Sequence, residues 1–204
     1  MGEGEPKANR RPLKSRSTGW AAAAARVVLR AGLTANQVSL LGIVIAALGA
    51  WAIVEAPGRP WLFLVGAVCI QLRLLANMLD GMVAVEGGRG GPTGAIWNEF
   101  PDRVEDSLFM IAAGYAAALP WLGWLAALLA AVCAYVRLLG GTLGQPQDFG
   151  GPMAKPHRMA ALTLGCAVAL VWPPALQVAL GAIAAGTLLT IALRLVRLSK
   201  ALRG

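Results

Sequence analysis

The sequence predicts an all-α integral membrane protein, with six transmembrane helices preceded by a short interfacial amphipathic helix, on three observations. Only 14% of the 204 residues are charged and 57% are hydrophobic, where soluble domains are about 25% charged. The mean hydropathy is +0.64, and several apolar stretches reach the ~20 residues a helix needs to cross a bilayer. Basic residues gather at the chain ends and at alternate connections, as membrane topology requires. The net charge of +8 is therefore read as topology and not as a nucleic-acid footprint, since the basic runs lack interleaved aromatics.

Residues 1–17 are polar, basic and rich in Pro and Gly, and read as a disordered tail. An interfacial helix is expected over 18–32, capped by Ser17 or Thr18. Trp20, Ala24, Val27 and Val28 share one of its faces, and Arg26 and Arg30 lie off that face. The transmembrane domain occupies 33–204, with spans over 38–54, 62–85, 95–118, 121–140, 157–173 and 175–196. The connections "EAPGRP", "EGGRGGPTG", "LPW", "GQPQDFGGPMAKP" and "WPP" carry the Gly and Pro expected of turns. About thirty polar and Ala-rich residues before the first long apolar run do not make a signal peptide. Pro6 breaks the myristoylation pattern.

Six spans put both termini on one side of the membrane. Arg89, Arg137, Lys155 and Arg158 fall on that same side, while Arg59 falls on the other. The positive-inside rule then places the termini and these connections in the cytoplasm, in a cytoplasmic membrane. Cys69, Cys133 and Cys166 stand singly in apolar runs without CxxC spacing, so they read as small buried hydrophobes.

The window Asn77–Asp106 breaks the apolar pattern. A charge at mid-bilayer costs about 2.5–3.5 kcal/mol on insertion scales, so these groups need a function or a partner. Asn77, Asp80, Gly81 and Ala84 recur at helical spacing and share one face of the second span. Gly94, Asn98 and Asp102, four residues apart, form a matching face on the third. The short connection between them makes the two helices antiparallel neighbours, so the two polar faces meet near the cytoplasmic surface. Acids outnumber Arg73, Arg89 and Arg103 there. Hard oxygen donors in excess call for a divalent cation, most naturally Mg²⁺ with substrate phosphates.

These residues resemble the signature of the CDP-alcohol phosphotransferases, Asp-x-x-Asp-Gly-x-x-Ala-Arg followed by Gly-x-x-x-Asp-x-x-x-Asp. "NMLDGMVA" and "GAIWNEFPD" match it at Asp80, Gly81, Ala84, Gly94 and Asp102, and "GLTANQVSLLG" is similar to the family's Pro-Asn-x-x-Thr opening. Asn77 and Asn98 replace the first and third aspartates, and Val85 replaces the arginine. An Asn carbonyl can ligate a metal but brings no charge. Asp106, one turn past Asp102 on the same face, is the better-placed substitute; Glu99 reaches the site only by a rotamer that bends round.

The resemblance implies a Mg²⁺- or Mn²⁺-dependent enzyme in phospholipid biosynthesis. It moves a phosphatidyl-type group from a CDP-linked lipid donor, CDP-diacylglycerol in this reading, to a small polar alcohol, releasing CMP. Metal would be held by Asn77, Asp80, Asn98, Asp102 and Asp106, with Asp80 and Asp102 catalytic and Asp102 the general base. Gly81, Ala84 and Gly94 would clear space for the nucleotide. Arg137, Lys155 and Arg158 would bind an anionic acceptor, unless they are only head-group anchors. Arg73 is expected to pair with Asp106 or Glu105. A homodimer among membrane lipids follows from the resemblance alone. Two other readings fit the same residues: a non-catalytic homologue of this fold, and a small cation-binding transporter. Transport sites cluster near the midplane, which the end-of-helix placement of these acids disfavours. "GGRGGPTG" lacks the Lys-Ser/Thr of a phosphate-binding loop.

Overall fold

The computed structural model of the protein describes residues 19–86 and 93–203. The expected tail, the cap at Ser17 or Thr18, and Arg89 lie outside them, as do the side chains of Val85, Glu86, Ala95 and Asn98. Among the described residues seven α-helices follow one another: α1 (Gly19–Arg30), α2 (Ala35–Glu55), α3 (Leu62–Glu86), α4 (Gly94–Ala116), α5 (Pro120–Thr142), α6 (Lys155–Ala169) and α7 (Ala175–Leu202). A 3₁₀ turn over Ala56–Gly58 links α2 to α3. Among the described residues there is no strand.

Local chemistry sets the ends of the first helices. Gly32, at φ 75°, ends α1, and the Leu33 N–H returns to the Val28 carbonyl at 3.3 Å, as in a Schellman cap. Thr34 then opens α2 with a capping box: Gln37 N–H donates to Thr34 Oγ1 at 3.3 Å and Thr34 N–H to Gln37 Oε1 at 2.8 Å. That cap starts the helix three residues before the apolar run from which the first span was read. On α1 the face packed against the protein is Ala21 and Ala25, with Ala24 and Val28 beside them, against Val38, Ala76, Leu79 and Met82. Trp20 and Val27 point outward, so the expected apolar face divides between protein and surroundings.

Among the described residues four helices are long and apolar enough to cross a membrane: α2 with its 3₁₀ turn, α3, α5 and α7. In α4, Glu99, Asp102, Arg103, Glu105 and Asp106 interrupt the apolar pattern. The 15 residues of α6 rise only about 22 Å at ~1.5 Å each, short of a ~30 Å hydrocarbon core. The packing order is a closed ring, α2–α3–α6–α7–α5–α4 and back to α2. The molecule is apolar outside and charged inside. Leu48, Trp51, Leu128, Val178 and Leu188 are exposed, whereas Arg73, Asp80, Glu105, Asp106, Lys155 and Arg158 are buried. Such an arrangement suits a lipid solvent.

Small residues let the backbones close. A Cβ on Gly123 would sit 2.7 Å from the Met110 carbonyl oxygen, and one on Gly114 would sit 2.7 Å from the Gly123 Cα. The α4–α5 crossing is thus backbone against backbone. Contact between α3 and α4 is sparser than the short connection suggested. Instead α2 packs on both, so polar side chains rather than backbone contact bridge α3 to α4.

Candidate active site

The site is built where one end of α3 faces the first turns of α4, closed by the start of α6. Reading α3 backwards against α4 forwards, Asn77 meets Asp102 and Arg73 meets Glu105 and Asp106. This confirms the antiparallel register. Two polar layers result, one turn apart.

The inner layer is a buried ion-pair cluster. Arg73, fully buried, pairs through Nε with Glu105 Oε2 at 2.6 Å and through a terminal nitrogen with Asp106 Oδ1. The same terminal nitrogen donates to the Asp102 carbonyl oxygen at 3.2 Å. The expected pairing of Arg73 is met by both acids at once. Asp106 also lies 3.8 Å from Lys155 Nζ and 3.9 Å from an Arg158 terminal nitrogen, so three cations enclose it. Glu105 packs against Gly42 of α2, where a Cβ would come 2.5 Å from Glu105 Oε1.

The outer layer holds the signature residues. Ser39 Oγ, from α2, donates to Asp80 Oδ2 at 2.8 Å. Asn77 Nδ2 donates to Asp102 Oδ1, and the Lys155 ammonium pairs with that same oxygen. Asp102 Oδ2 lies 3.3 Å from Arg103. Of the acids in the two layers Asp102 is the most open, its side chain 16% exposed. Asn98 lies on α4 one turn before Asp102, and Gly94 starts the helix where a Cβ would meet nothing within 4 Å. Gly81 and Ala84 continue the α3 face and are half-buried. Pro101 has no N–H to give the Trp97 carbonyl, so the hydrogen-bond ladder of α4 is interrupted beside this layer.

A third group flanks the site. Arg137 of α5 donates to Glu99 Oε2 and to Gln147 Oε1, each at 2.5 Å, and its guanidinium lies 5.0 Å from the Phe149 ring centre. Glu99 therefore turns to α5 and not to the signature face. Arg158 donates to the Met153 carbonyl at 2.9 Å. Arg194, which the sequence reading did not single out, is buried and donates to the Gly150 and Cys133 carbonyls at 3.0 and 2.9 Å. Arg137 and Arg194 line a cleft of about 120 Å³ at the ends of α5 and α7.

The donor set fits a hard divalent cation. Asp80 is buried, and its Oδ1 has no hydrogen-bond partner. Such an orphaned carboxylate oxygen is costly unless something positive meets it. Asn77 gives its N–H to Asp102 and keeps its carbonyl oxygen as an acceptor. Among the described residues no three His, Cys, Asp or Glu converge on a metal position. Two carboxylates and a carboxamide are thus the protein's share, which is how Mg²⁺ usually binds beside water and substrate phosphates.

No protein-family model matches the chain. Over 182 residues it is 30% identical to a phosphatidylinositol phosphate synthase of Mycobacterium marinum, covering 84% of this chain and 76% of that protein. The chain belongs to the CDP-alcohol phosphotransferase family. Its fold is shared as well. The crystal structure of Mycobacterium tuberculosis phosphatidylinositol phosphate synthase in complex with manganese and citrate superposes with a TM-score of 0.76 at 26% identity, covering 87% of this chain and 88% of that one. The same protein with CDP-DAG bound gives a TM-score of 0.76 over 87% and 92% of the two chains. The protein is a membrane CDP-alcohol phosphotransferase.

Proposed function

We propose that this phosphotransferase moves a phosphatidyl group from CDP-diacylglycerol to a phosphorylated polyol, inositol phosphate first among them, and releases CMP. The observation that carries the reading is the pairing of Asp80, with its orphaned Oδ1, and Asp102, the most open acid, on facing helices. The named activity of the Mycobacterium relatives and the CDP-DAG bound by a solved one support the donor and the acceptor class.

The residues present assign the roles. Asp80 and Asp102, with the Asn77 carbonyl and Asn98, would hold Mg²⁺ or Mn²⁺, whose bound charge offsets that developing on the phosphate oxygens. Ser39 orients Asp80, and Lys155 and Arg73 orient Asp102. Gly81, Ala84 and Gly94 leave the backbone bare where the cytidine diphosphate lies. The acceptor hydroxyl oxygen forms a bond to the β-phosphorus, and the bond from that phosphorus to the bridging oxygen breaks. CMP leaves with the bridging oxygen. The hydroxyl proton passes to the Asp102 carboxylate, the general base. Asp106, enclosed by Arg73, Lys155 and Arg158, serves as their counter-charge rather than as a ligand. Arg137 and Arg158 meet the acceptor phosphate, a task suited to guanidinium.

Six spans, with α4 and α6 as members of the ring and their charged turns facing inward, a cytoplasmic site and both termini cytoplasmic complete the proposal, together with a homodimer. The test is CMP release from CDP-diacylglycerol by purified protein in nanodiscs with Mg²⁺ or Mn²⁺ and separate candidate alcohols. Metal-dependent release with inositol phosphate, lost in Asp80→Asn and Asp102→Asn, is expected. Release with glycerol phosphate alone would replace the acceptor, and none with any alcohol would end the reading.

A further inference from the structure

We infer that Glu99 is a resident anion of the acceptor site. Its carboxylate holds Arg137 until a phosphate-bearing acceptor displaces it, and so sets how strongly such acceptors bind. The inference deepens the proposed function and rests on it in one respect, that the acceptor brings an anionic group to Arg137. Both terminal nitrogens of that guanidinium are already engaged. One donates to Glu99 Oε2 and the other to Gln147 Oε1, each at 2.5 Å, and the Phe149 ring centre lies 5.0 Å from the guanidinium carbon. A phosphate that grips both nitrogens must displace these two partners, and Glu99 is the one that carries charge.

Glu99 is the acid best placed to let go. Of the other two cations assigned to the acceptor, Lys155 pairs with Asp102 and Arg158 with Asp106, acids whose side chains are 16% and 3% exposed. The Glu99 side chain is 26% exposed, so an incoming anion competes with a partly hydrated carboxylate. Glu99 also has a second seat. Arg103, one turn further along α4, lies 3.8 Å from the same Oε2. When Arg137 turns to phosphate, Glu99 keeps that neighbour and no charge is stranded. Glu99 gives the guanidinium one oxygen, whereas phosphate offers two, one to each terminal nitrogen. An uncharged alcohol has nothing with which to drive the exchange, so the contact selects for phosphorylated acceptors. Only molecules with Arg137 released are ready to bind, and the apparent dissociation constant rises by the inverse of their fraction.

The test reads a gain of binding, which damage to the fold cannot imitate. Inorganic phosphate and inositol phosphate are titrated by calorimetry into purified protein in nanodiscs, and CMP release from CDP-diacylglycerol is followed in the same preparations. Glu99→Gln keeps the shape and removes the charge. It is expected to tighten both anions about tenfold, the gain when roughly one native molecule in ten has Arg137 released. Glu99→Ala should do the same, and it decides alone where Glu99→Gln does not fold. Adding Arg137→Gln to either variant should abolish the gain. Unchanged, weaker or undetectable binding in the folded Glu99 variants overturns the inference, as does a gain that survives Arg137→Gln. Tighter binding with no CMP release from any CDP-alcohol keeps the role of Glu99 and sinks the proposed function. Release with inositol phosphate but no gain of binding sinks only the inference.

Discussion

Among the described residues the polar contacts of Arg73 all fall on one stretch of α4: Glu105, Asp106 and the backbone and side chain of Asp102. Removing one partner of a buried ion cluster strands the others, at about 3–5 kcal/mol. Arg73→Met should therefore lower the melting temperature in detergent sharply, and Arg73→Lys should recover little, because an ammonium cannot reproduce a planar fork. An unchanged melting curve for Arg73→Met would show that the cluster contributes no net stability. Ser39 acts on chemistry more than on folding. Its hydroxyl fixes Asp80 by donating to Oδ2 at 2.8 Å, and loss of such outer partners costs about 10–100-fold in metal affinity. Ser39→Ala should shift the Mn²⁺ dependence of CMP release by that factor while Ser39→Thr leaves it near native; equal Mn²⁺ requirements in all three would remove the orienting role. At this scale Asp80, Asp102 and Arg73 were legible in the sequence, since spacing puts them on facing stripes. The capture of Asp102 by Lys155, and of Glu99 by Arg137, was not, because both join residues tens of positions apart whose meeting depends on how α5 and α6 pack.

Helix pairs are held by different means on the two sides of α4. Toward α3 the link is polar and passes through side chains; toward α5 it is the contact of Gly114 with Gly123. A methyl at Gly123 would press on the Met110 carbonyl oxygen at 2.7 Å and on the Gly114 Cα at 2.8 Å, and backbone atoms cannot swing aside. Gly123→Ala should cost about 1–3 kcal/mol as an overpacked contact. Gly181→Ala in α7 supplies the contrast, because a Cβ there meets nothing within 4 Å, and exchanging Gly for Ala inside a helix stabilises by about 0.5–1 kcal/mol. Thermal unfolding of both variants should thus move in opposite directions, and parallel shifts would refute the backbone-contact argument. The helices themselves were legible from apolar length and breakers, most within a few residues of the observed ends. The α2 start was misjudged because hydropathy marks where apolar residues begin, whereas the Thr34–Gln37 capping box marks where the helix begins. The insertion of α2 against both α3 and α4 could not be read, since chain connectivity names sequential neighbours and not the third helix between them.

At the scale of the whole molecule, hydropathy alone separates α2, α3, α5 and α7 from the charged α4 and the short α6. The ring order explains how the latter two can still span. In α4 the charged turns are buried against α2, α3, α5 and α6, so no isolated charge faces lipid, and its second half carries the apolar run through Met110 and Ala113. In α6, the turn before α7 adds Leu170, Val171 and Trp172, exposed and apolar, to a helix otherwise too short. The two topologies differ at the α4–α5 turn. If α4 crosses, Ala118 lies on the side opposite to the termini; if only the four apolar helices cross, it lies on the same side. Ala118 is exposed and already sits at φ 57° with a Cβ, so Ala118→Cys adds one sulfur without new backbone strain. In a background with Cys69, Cys133 and Cys166 changed to Ala, six spans predict labelling of Cys at 118 by a membrane-impermeant maleimide from outside intact spheroplasts, while Cys placed at exposed Thr142 is labelled only after the membrane is opened. Protection of 118 with labelling of 142 in intact spheroplasts is what four spans predict; it would reduce the count below six and place α4 on the cytoplasmic face, and the active site would then have to draw its lipid donor from the interface rather than from between the helices.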